Sequence, residues 1–149
     1  MPNTDIRDSR NDDILALRMK YIPTVLASAA STQVTGTNPH VGTAQLGEDP
    51  LPWLFEYPGI LPTASILESN AKGLGVVTAT PEIDGVTRRI PLLVNVGSKL
   101  YPSFALELLR VAVQDPSYQI KTEEQGLAWV RVPQSVSYTH LTLPTIRWV

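Results

Sequence analysis

The sequence predicts an α/β fold, a mixed β-sheet of about five strands with helices packed on it. Three observations carry that reading. An apolar-periodic helix near the start is followed at once by a short apolar strand, "TVLAS". The stretch "GVVTATPEIDGVTRRIPLLVNVGSKLYPSFALELLRVAV", Gly75 to Val113, reads as strand, tight turn, strand, turn and buried helix. "YQIK" and "LAWVRV", separated by "TEEQG", read as a closing hairpin.

Each element has a local reason. Asn11 to Asp13 form a polar cluster ahead of Ile14, Leu15, Leu17 and Met19, and Lys20 follows. Acids at the start and bases at the end suit the helix dipole, so a helix is expected over residues 12–20, stopped by Pro23. Thr24–Ser28 is too short and too apolar for anything but a buried strand. From Ser31 to Pro52 periodicity is lost and a long polar loop is expected, of the kind that often carries function. Residues 64–72 predict a short helix closed by Gly73, and Gly75–Ala79 a strand. Asp84–Gly85 is a strong hairpin signal, with Val86–Val96 as the return strand. Gly97 and Ser98 turn the chain again. Pro102 suits the first position of a helix, where its missing N–H costs nothing, so the next helix is expected over residues 102–114. On it Ser103, Glu107, Arg110 and Gln114 form one narrow polar stripe in an otherwise apolar surface.

Composition excludes several functions. The chain has 149 residues, enough for one domain with a sizeable core, and is 43% hydrophobic and 17% charged. Thirteen prolines point to many turns. A net charge of −2 gives no electrostatic footprint for nucleic acid. With no cysteine, there are no disulfides, cysteine nucleophiles or thiolate metal sites. His40 and His140 are the only imidazoles, so no multi-histidine metal site is expected, and no cofactor either. No apolar run reaches the length of a membrane span.

Arg88 and Arg89 interrupt an apolar stretch. On an extended strand Arg88 would share the more apolar face with Val86, Ile90, Leu92, Val94 and Val96, and Arg89 the more polar one. A guanidinium keeps its charge, so a buried one needs a carboxylate, carbonyls or an anionic ligand. One reading ties Arg88 to Asp84 or Glu82 across the turn and leaves Arg89 solvated. The other has one or both arginines receiving a carboxylate or phosphate group.

The same residues carry a family resemblance. Gly75, Asp84, Gly85, Arg88, Arg89, Pro91, Leu92, Tyr101, Pro102, Ser103 and Leu106 fall in order and spacing on a "lGhvn…pD.DGvvRrvPLl…g..yPSlaLal.r" pattern. This resembles the CHASE domain of the second type, a cyclase/histidine-kinase-associated sensory extracellular domain. "DILALRMKYIPTVLA" is similar to the helix and strand that precede the motif, and the likeness runs from about Asp5 to Gln134. Glu82 stands where Asp is usual, and "VVTA" replaces "hvN". The resemblance implies the extracytoplasmic sensory domain of a bacterial multipass membrane receptor. One transmembrane helix would precede the domain and several would follow. A cyclase or kinase would be the cytoplasmic output. The signal would be a small molecule or another periplasmic cue, with no nucleic acid involved, and the receptor could form a homodimer. Arg89, Arg88 and His40 are then the ligand-facing candidates, with Asp84, Gly85, Arg88, Pro91 and Pro102 as the structural motif.

The resemblance also implies an incomplete domain. A first α/β unit and the membrane helices would lie outside residues 1–135. "VSYTHLTLPT", Val136–Thr145, resembles a translated sequencing adapter, so residues 136–149 are expected to be a non-native tail. His140, Ser137, Tyr138 and Trp148 are therefore given no role. Two other functions compete. A small hydrolase-like α/β enzyme could draw on His40, Asp49 or Asp84 and a serine, but there is no GxSxG elbow. "GLG", Gly73–Gly75, leads into a strand instead of opening a phosphate-binding helix. A dimerisation module could instead use the apolar helix near 102–114.

Overall fold

The structure, a computed structural model, describes residues 6–33, 39, 41–78, 84–88, 90–124 and 126–133. It is a mixed α/β domain with three α-helices and four small sheets among those residues. The expected Glu82, Arg89, His40 and tail roles fall outside the described residues.

Helix α1 spans Ile6–Met19. It begins well before residue 12, so Asn11–Asp13 lie within the helix and do not cap it. Short polar residues favour a cap without enforcing one. Met19 and Ala16 face inward, and α1 packs on α2 (Ser65–Glu68). Strand β1 (Val25–Ser28) follows, then β2 (Ala30–Ser31).

The segment expected to be all loop contains β3 (Gly42–Leu46), which pairs in parallel with β9 (Ser117–Glu123). "GTAQL" shows no alternation because most of β3 is exposed. Its order comes from a ladder to a strand more than seventy residues away, which local pattern does not report. A 3-10 turn follows at Leu51–Trp53, then β4 (Glu56–Tyr57) and β5 (Gly59–Ile60). Antiparallel β2–β5 pairing makes a two-stranded ribbon.

Strand β6 (Gly73–Val76) pairs in parallel with β1, register Val25 to Gly73 through Ser28 to Val76. This corrects the expected hairpin between Gly75–Ala79 and Val86–Val96. The turn at Asp84–Gly85 forms, with Gly85 at φ +78°, and among the described residues no strand follows it until Leu93. Residues 86–88 and 90–92 are irregular, and only Leu93–Val96 is extended, as β7. The hydrogen-bonding edges of β7 are already occupied, by β4 on one side and β8 (Lys99–Pro102) on the other. Arg88 therefore has no strand face.

The second turn forms as expected. Gly97 and Ser98 both have positive φ, +53° and +64°, the two-residue geometry that matches strand twist. Pro102, expected to open the helix, instead closes β8. Ser103 takes the cap position: its N–H donates to Leu92 O at 2.7 Å, and its Oγ accepts the Leu106 N–H at 3.3 Å. Helix α3 runs Phe104–Ala112 and covers β6 and β1. The final hairpin is β9 with β10 (Gly126–Arg131).

Two apolar clusters lie on opposite faces of β7. Leu93 joins Leu106, Tyr118, Ile120, Leu127, Val130 and Val132. Val94 and Val96 join Ile60, Leu74, Val76 and Tyr101. The strand alternation of β7 thus feeds two cores at once.

Candidate functional site

The residues singled out by the motif form a surface loop. Asp84 Oδ1 accepts the Val86 N–H at 3.1 Å, and Asp84 Oδ2 lies 2.7 Å from Arg88 Nη1. Both side chains are about half exposed, 51% and 52%. The backbone donor first, and the Arg88 guanidinium second, hold the Asp84 carboxyl below its usual range. Pro91 is half-buried at the foot of the loop and Pro102 is buried beside Leu93, its partner in register. The motif residues thus divide into an exposed turn and a buried strand end.

Three of the four residues expected in a polar stripe turn inward, while Gln114 is exposed beyond the end of α3. Glu107 is fully buried at 0% exposure, Ser103 is at 2% and Arg110 at 6%, while Leu108 on the other side is 45% exposed. Arg110 grips Glu107 with a fork: Nε to Oε2 at 3.0 Å and Nη2 to Oε1 at 2.8 Å. Its remaining donors reach backbone, Nη1 to Asp115 O at 2.6 Å and Nη2 to Lys72 O at 2.8 Å. The Tyr118 hydroxyl on β9 donates to Glu107 Oε2. A buried charge pair is tolerable only with this degree of hydrogen bonding, because desolvation opposes it. The Glu107 hydrogen bond raises the Arg110 pKa, and burial, then Glu107, pushes the Tyr118 hydroxyl far above its ordinary range.

Small residues make room for the cluster. A Cβ on Gly73 would collide with the Glu107 carboxylate, and one on Gly75 with the Phe104 backbone. The helix lies directly on β6 because that strand reads "GLGV". Sequence reasoning treated Glu107 and Arg110 as a polar stripe and missed their burial. The available signal was the pair of glycines two residues apart, Gly73 and Gly75, in the strand that the helix crosses.

An open cleft of about 240 Å³ lies between β3 and the β7–β8 turn, lined by Thr43, Gln45, Leu51, Ser98, Lys99 and Leu100 among others. It brings an amide, hydroxyls and an ammonium group together. Of the sequence-predicted ligand residues, Arg88 lies on its exposed loop, and His40 and Arg89 are outside the described residues.

Chemically, the arrangement is that of a binding or structural domain. The buried carboxylate is sealed from solvent, with its oxygens engaged. Among the described residues no group of His, Asp and Glu is placed to hold a metal ion, and no helix is long and apolar enough to cross a membrane. The family model described as the CHASE2 domain matches residues 3–147, so this chain belongs to the CHASE2 domain family. Members of that family are extracellular sensory domains, and the chain is accordingly sensory in class. No curated protein and no solved structure matches the chain.

Proposed function

We propose that this chain is the extracytoplasmic sensory domain of a bacterial multipass membrane receptor whose cytoplasmic output is a nucleotide cyclase or a kinase. The CHASE2 match over nearly the whole chain carries this reading. A domain of this kind acts by differential binding: the signal favours one of two receptor states, and the output follows that population. The receptor reading assigns ligand contact to Arg88, on its exposed turn, to Arg89, and to the 31–52 segment, which includes His40. The cleft built on Thr43 and Gln45 belongs to that segment and supports the assignment.

The test begins with the gene. Sequencing outward from the codons for Met1 and Gln134 in source DNA should reveal apolar spans of about twenty residues on both sides. A cyclase or kinase coding region should follow the last of them. A gene limited to these codons, with no span on either side, would remove the receptor reading. For the ligand surface, Gln45→Trp should fill the cleft and abolish the thermal shift given by any small molecule that stabilises the native chain. A shift that persists in that variant places the ligand elsewhere.

A further inference from the structure

The cleft beside β3 continues the space between two sheets. Leu93 of β7 shares one apolar cluster with Tyr118 and Ile120 of β9, so these two sheet faces look at each other. Register partners share a face, and alternate residues along a strand return to it. Thr43 and Gln45 of β3 are the partners of Tyr118 and Ile120. Leu100 of β8 is the partner of Asn95, which lies two residues on from Leu93. Thr43 and Gln45 therefore extend one of the facing surfaces, and Asn95 and Leu100 the other. Where the surfaces part, Val41 and Leu100 line the cleft of about 240 Å³ and also pack on the apolar cluster.

Asn95 is the residue that points to a ligand. It is 7% exposed, and its Oδ1 is buried with no hydrogen-bond donor among the described residues. The Asn95 backbone N–H is already used, donating to Phe55 O at 2.9 Å. Buried polar atoms are paired as a rule, and an orphaned acceptor calls for a donor. We propose that the cleft binds a small neutral molecule rich in hydroxyl groups, of monosaccharide size, with Asn95 Oδ1 accepting one of its O–H groups. The groups on the facing surfaces are amides and a hydroxyl, from Asn95, Gln45 and Thr43. A hydroxyl both donates and accepts, so one such ligand satisfies all three. No acidic residue lines the cleft, which leaves a cation without a counter-charge. Lys99 lies at its rim, but as the partner of Val96 it starts from the opposite face of the ladder. A carboxylate or phosphate would bring only further acceptors to Asn95 Oδ1. Leu51 and Leu100 supply an apolar wall for the C–H face of a sugar ring. The inference rests on reading the chain as a sensor and names the class of signal taken at this cleft.

The test is calorimetric titration of the full chain with D-glucose, D-galactose, D-ribose and myo-inositol, with glutamate and putrescine as charged controls. At least one neutral probe should bind saturably and raise the melting temperature with concentration. Asn95→Leu replaces the orphaned amide by an apolar side chain of similar size. It should leave the melting temperature of the chain alone unchanged or higher, while weakening that probe about tenfold or more. Gln45→Ala, at an exposed position, should weaken the same probe with the fold intact. No binding by any neutral probe, or binding of a charged probe in their place, would overturn the proposal. So would sugar binding that both variants leave intact. Those results leave the receptor reading standing, because it is decided by the membrane spans beside the gene. A gene without spans would remove that reading even where a sugar binds.

Discussion

Two arginines in this chain illustrate opposite uses of the same side chain. Arg88 pairs with Asp84 in water, where screening leaves an ion pair little net effect. Arg88→Met is therefore expected to change unfolding free energy by less than about 0.5 kcal/mol in a denaturant titration. Arg110 pairs with Glu107 out of water, so removing the carboxylate strands a buried charge. Glu107→Ala is expected to cost about 3–5 kcal/mol, read in the same titration. Tyr118 adds a pH signature. Its folded pKa is raised above the ordinary value of 10.0. The native state therefore holds that proton more tightly than the unfolded chain does. This contribution to stability is intact below pH 10 and declines as pH climbs beyond it. Phenolate absorbance should show the Tyr118 hydroxyl titrating only with unfolding, seen as the difference from Tyr118→Phe, which should flatten the stability loss above pH 10. The Asp84–Arg88 contact was legible in sequence, since a DG turn brings its flanks together. The buried cluster was not, because its third member comes from β9, eleven residues beyond Glu107.

At the scale of elements, type was easier to read than partnership. Helices near 12–20, 64–72 and 102–114 and strands near 24–28, 118 and 128 are all present with shifted ends. Strand pairing differed because it is decided by which hydrogen-bonding edges are free. β7 is bounded by β4 and β8, so its own ladder runs to those strands and not to β6. β3 was hidden because an exposed strand carries no apolar alternation. The closeness of α3 to β6 gives the sharpest element-level test. Gly75→Ala would push a methyl group into the Phe104 backbone, and backbone yields less readily than a side chain. A loss of about 1–3 kcal/mol or more is expected, measured as a fall in denaturant midpoint.

For the whole molecule, the α/β class and the CHASE2 family were both legible, the first from periodicity and the second from the Gly75–Leu106 motif. The division of one expected sheet into four small ones was not, since sheet assembly is a property of distant contacts. The motif itself is spread across the molecule: Asp84, Gly85 and Arg88 lie at the surface, while Tyr101, Pro102 and Ser103 are buried. The Glu107 cluster has a consequence for the history of the chain. Loss of Glu107 alone leaves Arg110 uncompensated, and loss of Arg110 alone leaves the carboxylate so. A side chain on Gly73 has no room while Glu107 stays. Substitutions at positions 73, 107, 110 and 118 must therefore travel together along lineages. Related sequences are expected to hold either the whole Gly–Glu–Arg–Tyr set or an apolar replacement of it, with mixed combinations rare.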